Sequence, residues 1–208
     1  MIKEIVVFAN SVKHGNSCVA GKCTRTGEWI RPVSNNEGAE ISVAQTKKIN
    51  RRDNDSEWGL KVLNKIKVDL SHHAPLNHQT ENYVINQTLW TDEFFIKKHQ
   101  VEDYLDNPEN LWGEGNRVSH HEILNNQEIR NSLYLVKVDE LELFKDQYDK
   151  RRARFSYGGI DYNLAVTGRE FDDNFETNST FLSNVIICVS LGENYEGYCY
   201  KLVASIIR

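Results

Sequence analysis

The sequence predicts a mainly β protein with some α structure, arranged as two small barrels joined by a partly helical bridge. Short apolar or alternating runs, rich in β-branched and aromatic residues and bounded by turn residues, fill both ends of the chain. The middle, residues 76–130, loses that alternation, becomes acidic and is rich in Asn and His. Only three prolines and twelve glycines in 208 residues exclude a collagen-like or Pro-rich disordered chain, and 10% aromatic content supplies a core.

Ile5 to Ala9 is a short apolar run, Ser17 to Cys23 alternates loosely, and Gly27 to Val33 follows the turn residues Thr24 to Gly27; all three read as strands. Pro32 is expected near a strand end or bulge, because it cannot donate to a ladder. After a polar stretch, Leu60 to Leu70 places Val62, Ile66, Val68 and Leu70 mostly at even spacing, which favours another strand. In the middle, Asp92 can cap a helix to about Gln100, and Ser119 can cap one to Ile129 with Glu122 completing a capping box. Strand patterns return at Leu133–Val138, Ala153–Tyr157, Ile160–Val166, Val185–Ser190 and Tyr198–Ile207, with Gly158-Gly159 as a hairpin turn. The domains expected are residues 1–75, a mixed or helical bridge over 76–130, and residues 131–208. Each end holds about the five strands that an OB-type barrel needs. The fold expected is therefore two OB-like β-barrels and a partly helical bridge; a single larger β-sandwich is the alternative.

A net charge of −5 taken alone argues against a nucleic-acid binder, but the charge is uneven: +4 over residues 1–75, −6 over 76–130 and −3 over 131–208. Two basic tetrads, Lys47, Lys48, Arg51, Arg52 and Lys150, Arg151, Arg152, Arg154, read either as a positive face or as solvated loops. Cys18, Cys23, Cys188 and Cys199 lack short-spaced zinc-ligand pairs, so reduced thiols and no metal are expected. The longest apolar run near either end is Ile5 to Ala9, which predicts no membrane span and a cytoplasmic protein.

The most specific stretches are Ala9 to Gly21, Trp29 to Ser34, His78 to Asn82, Leu111-Trp112, Ala153-Arg-Phe155, Ala165-Val-Thr167, Cys188 to Gly192 and Tyr198 to Ala204. In this order they resemble the prokaryotic dual OB-fold-containing family over nearly the whole chain. The resemblance implies a duplicated OB barrel, nucleic-acid binding and a place among bacterial conflict systems. Where that family often has an acidic residue after the Val-Thr pair, this chain has Gly168.

The candidate ligand-binding residues fall in four groups. Asn10, Ser11, Lys13 and His14 follow an apolar strand and precede Gly15, so they form a polar loop at a strand end; Lys13 offers a point charge suited to phosphate. The plain alternative is a structural turn. Trp29 and Arg31 lie two apart and share a strand face, where an aromatic beside a guanidinium can stack a base and meet phosphate, or where Trp29 simply fills a barrel and Arg31 pairs with a carboxylate. Gln79, Glu81 and Asn82 follow His78: the amides suit base edges, while His78 or Glu81 suits acid–base work. Arg152 and Arg154 add charge at the far end. The His72-His73 and His120-His121 pairs diverge and do not chelate by themselves.

The chain contains no P-loop, G-x-G-x-x-G, H-E-x-x-H or G-x-S-x-G motif, so no catalytic residue or cofactor is assigned. The function expected is a nucleic-acid or nucleotide binding module. The alternatives are an enzyme acting on a nucleotide or nucleic acid, with Lys13, His78 or Glu81 in its chemistry, and a protein-interaction adaptor with a protein partner. Oligomeric state is not encoded in any visible pattern.

Overall fold

The structure is a computed structural model, and it describes residues 1–13, 15–50, 56–125, 129, 131–176 and 178–208. The chain divides into two compact units, Met1–Tyr104 and Leu105–Arg208. Each unit contains one closed barrel of five strands.

The first barrel uses β1 (Ile2–Lys13), β2 (Asn16–Cys23), β3 (Trp29–Val33), β6 (Asn64–His73) and β7 (Asn82–Ile85). Its cyclic order is β1-β2-β3-β7-β6, closed by antiparallel β1–β6 pairing, with β3 and β7 parallel. One strand serves both neighbours because β1 is long and breaks register between Val7 and Ala9, a bulge that sharpens its bend. Gly21 sits at that closure: a Cβ there would collide with the Val6 carbonyl. Alternation in β6 turns Ile66, Val68 and Leu70 inward, where they meet Ile5, Val7, Val19, Ile30, Ile85 and Trp90. Outside the barrel, β8 (Trp90–Phe95) adds antiparallel to β6, and β4 (Lys48–Asn50) pairs with β8 and with β5 (Ser56–Trp58).

The second barrel repeats the order with β10 (Leu133–Lys145), β11 (Arg151–Tyr157), β12 (Ile160–Val166), β13 (Ser179–Tyr195) and β14 (Tyr198–Ile207). Here β10 pairs with β13, and β12 runs parallel to β14. Numbering each barrel's strands one to five, both have the order 1-2-3-5-4 closed on strand one. The Gly158-Gly159 turn has φ of 58° and 75°, as the hairpin reading requires. Strand β9 (Arg117–Ser119) joins the edge of β14, and helix α1 (His120–Asn125) follows directly. A short helix α2 (Phe171–Asn174) buries Phe171 in the second core.

Two expectations about the middle are corrected. The stretch 76–130 is not a separate bridge: its first part, to Tyr104, completes the first unit and the rest belongs to the second. The segment beginning near Asp92 is strand β8, followed by a 3-10 helix at Lys98–Tyr104, and not an α-helix from Asp92. Tertiary packing decides this. Trp90 is fully buried in the first core, and Asp92 takes a ladder position opposite Ile66, which overrides its capping tendency. Helix α1 does start after Ser119; Asn126 to Glu128 lie outside the described residues.

Candidate nucleic-acid interface

The first polar cluster grows from the parallel pair β3–β7, in which Arg31 stands opposite Asn82. The backbone N–H of Arg31 donates to the Glu81 carbonyl at 2.8 Å, and its guanidinium reaches the Glu81 carboxylate, with Nε and Nη2 each 3.2 Å from Oε1. Asn82 Nδ2 donates to Gln79 Oε1 at 3.3 Å. Leu76 and Gln79 exchange backbone hydrogen bonds, so the loop between β6 and β7 closes on itself. His78, Gln79, Glu81 and Asn82 are all buried there. His73 braces the loop from β6: its Nε2 lies 2.6 Å from the Thr80 carbonyl and its ring packs on Tyr83. Gly38, at φ +79°, covers the cluster. A Cβ on it would fall 2.9 Å from both Asn82 Nδ2 and Leu76 Cδ1.

Arg31, Gln79, Glu81 and Asn82 are therefore brought together, as a buried knot and not as an open row of side chains. The other candidates sit apart from it. Asn10 is buried and donates from Nδ2 to the Leu60 carbonyl at 2.8 Å, and Ser11 is buried beside it on β1. Lys13 is the last residue of β1, opposite Asn16; His14 lies outside the described residues. Trp29 is only 8% exposed. Its ring meets Phe8 edge-on at 6.2 Å, and Lys22 Nζ lies 5.1 Å from its centroid. Ile30 points into the barrel core, so Trp29 lies on the opposite face of β3, where this packing covers its ring and leaves no open stacking face.

Arg152 and Arg154 belong to β11, the second strand of the second barrel. Ala153 and Phe155 point inward between and beyond them, which leaves both arginines on the outer face. Arg154 Nη1 pairs with Glu142 Oε2 at 2.5 Å and its guanidinium lies 4.8 Å from the Phe144 ring centroid. Arg152 donates from Nε to Asn163 Oδ1 at 3.0 Å and from Nη2 to the Asn163 carbonyl at 2.8 Å. Of their neighbours in the tetrad, Arg151 pairs with Asp172. In the other tetrad Lys47 is exposed, whereas Arg51 and Arg52 lie outside the described residues.

A family model for the dual OB-containing domain matches residues 3–206, and the strand order of both barrels agrees with it. The chain belongs to the dual OB-containing domain family. No curated protein and no solved structure matches it. In OB barrels the face of strands two and three, with the one–two and four–five loops, is where oligonucleotides and oligosaccharides bind. In this dual OB chain the Gln79–Glu81 loop is the four–five loop of the first barrel, Lys13 ends its first strand, and Arg152 and Arg154 lie on strand two of the second.

Two buried lysines escaped the sequence reading. Lys22 donates from Nζ to the Tyr104 carbonyl at 2.7 Å. Lys201 donates to the Gly113 and Glu114 carbonyls at 2.6 and 2.9 Å, and burial lowers its pKa to about 8. The signal was present for Lys201: Cys199, Lys201 and Val203 alternate, which puts the lysine on the inward face. At Gly168 a Cβ would lie 3.0 Å from the Ala204 carbonyl and from Glu170 Oε2, so a side chain there is tight and needs its neighbours to give way. Burial raises the pKa of Glu170. Burial also pushes the Cys199 thiol up to about 11, the character of a core cysteine. Among the described residues no helix is long and apolar enough to cross a membrane.

Proposed function

We propose that this dual OB chain is a nucleic-acid binding module that takes a single strand across the outer face of its second barrel, in the setting of bacterial conflict systems that the family resemblance implies. The observation that carries the reading is the pairing of Arg154 with the Phe144 ring, 4.8 Å from its centroid, beside Arg152 on strand two of an OB barrel. A guanidinium over an aromatic joins phosphate neutralisation to a stacking surface, the combination that sequence-tolerant strand binding uses. Glu142 and Asn163 hold the two guanidinium planes, so less side-chain freedom is lost when phosphate arrives.

In the first barrel, Lys13, Asn10 and Ser11 at the one–two turn, and Arg31, Gln79, Glu81 and Asn82 at the four–five loop, are the proposed contributors. Asn10, Ser11, Gln79, Glu81 and Asn82 are buried, which supports a shaping role, with the knot fixing the four–five loop of that barrel. An enzymatic role for Glu81 is the less favoured reading, because its carboxylate is already engaged by Arg31.

Fluorescence anisotropy with a labelled oligothymidine tests the proposal. Arg152→Ala and Arg154→Ala are each expected to weaken binding and to lower the slope of log affinity against log salt by about 0.7 per lost phosphate contact. Absence of binding at low salt, or variants that bind with the original slope, overturns it.

A further inference from the structure

A groove of about 810 Å³ opens on the second unit; its lining includes Asn110, Trp112, Tyr134, His121, Glu122 and Asn125, and neither Arg152 nor Arg154. Its size is that of a small-molecule site. We propose that this groove binds a guanine base, stacked on the Trp112–Tyr134 ring pair and read by the Glu122 carboxylate. The inference goes beyond strand binding on β10–β12 and does not depend on it.

The platform is built in advance. Trp112 and Tyr134 have ring centroids 4.5 Å apart and planes 30° apart. Trp112 holds a φ of +55°, the left-handed region, which a non-glycine residue keeps only where its surroundings impose it. They do impose it. Leu111 is fully buried, and its N–H donates to the Tyr162 hydroxyl at 3.1 Å. The next carbonyl but one, at Gly113, accepts from Tyr162 Oη at 3.0 Å and from the buried Lys201 ammonium at 2.6 Å. The Gly113 N–H donates to Asn110 Oδ1 at 2.6 Å, and Trp112 Nε1 donates to the Asn131 carbonyl at 3.0 Å. Two polar groups from inside the barrel thus clamp the backbone on either side of one tryptophan.

Recognition comes from α1. Asn125 Nδ2 donates to the His121 carbonyl at 2.8 Å and lies 3.1 Å from His121 Nε2, which ties those two side chains to each other. Glu122 brings an acceptor-only carboxylate to the groove. A carboxylate beside two aromatic rings repels phosphate and suits a neutral base. Of the bases, guanine presents a ring N–H and an adjacent amino group as neighbouring donors, which the two oxygens of one carboxylate accept together. Adenine and cytosine place a single donor group beside an acceptor, and that acceptor would face carboxylate oxygen without a proton between them.

Equilibrium dialysis of the full chain against labelled guanosine, adenosine and cytidine tests the site. Guanosine is expected to bind saturably, with adenosine and cytidine weaker by about tenfold or more, the worth of one charge-assisted hydrogen bond. Glu122→Gln should remove about that factor for guanosine, while Tyr134→Leu should weaken all three nucleosides through lost stacking. Near-ultraviolet circular dichroism establishes that each variant is folded. A second arm compares an oligothymidine carrying one central guanine with the all-thymine strand: equal affinity of the two strands identifies the free nucleoside as the ligand, and tighter binding of the guanine-bearing strand, lost in Glu122→Gln, identifies a base presented within it. Folded wild-type protein that takes up no guanosine overturns the proposal, as does guanosine binding that both variants leave unchanged. Because the all-thymine strand lacks guanine, its binding tests the outer face of β10–β12 separately.

Discussion

Arg31 and Glu81 are joined through both backbone and side chain: a 2.8 Å backbone hydrogen bond and an ion pair at 3.2 Å, with the carboxylate side chain only 3% exposed. The pair fixes the four–five loop of the first barrel onto its third strand. Removing one partner strands the other charge out of water, so Arg31→Ala should cost about 3 kcal/mol of unfolding free energy in urea. Replacing both, as Arg31→Met with Glu81→Leu, should recover a large part of that loss. A double variant no more stable than Arg31→Ala would show that the loop is held by something other than this pair.

Trp29 answers differently to truncation than a stacking platform would. Its ring is buried against Phe8 and under Lys22, so Trp29→Ala should destabilise the first unit by about 3–5 kcal/mol in thermal unfolding. A variant of unchanged stability that loses oligonucleotide affinity would restore the ring to the binding surface.

The strands of both barrels were readable because inward residues repeat every second position, as at Ile66, Val68 and Leu70 or Ala153 and Phe155. Segment 90–104 was not readable. A buried Trp90 and a ladder position for Asp92 are fixed by β6, which lies some twenty residues away in the chain, and no local pattern reports that. The same holds for the site. Sequence offers Arg31 a carboxylate partner without naming Glu81, since the contact depends on a parallel β3–β7 pairing that a linear pattern does not reveal. Trp29 and Arg31, two apart on one strand, read either as a stacking pair or as a packed ring beside an ion-paired arginine; the Arg31–Glu81 contact and the burial of Trp29 agree with the second.

Lys201 makes stability depend on pH. Burial lowers its folded pKa to about 8 from the ordinary 10.5, so between those values the unfolded chain holds more protons and unfolding free energy rises with pH. The gain is absent below pH 8 and should reach about 1 kcal/mol by pH 9. The Cys199 thiol opposes it above pH 9, because burial raises that group from 9 to about 11 and the unfolded thiolate forms first. The quantity to measure is therefore the wild-type profile minus that of Lys201→Met. A difference that is flat from pH 7 to 9 would mean that the two carbonyl hydrogen bonds keep the ammonium charged.

Gly38 carries two separable costs, and a matched pair of variants resolves them. Gly27 has φ +72° with nothing near the site of a Cβ, so Gly27→Ala measures backbone strain alone, about 1 kcal/mol. Gly38 has φ +79° and would in addition drive a Cβ to 2.9 Å from Asn82 Nδ2 and Leu76 Cδ1. Gly38→Ala should therefore cost more than Gly27→Ala, by about 1–3 kcal/mol from overpacking, in urea unfolding. The excess should shrink when Asn82→Ala is added, because that removes the amide the new methyl meets. Equal costs at the two glycines would show that the covering loop moves aside freely, and that Gly38 does not hold the Gln79–Asn82 contact in place.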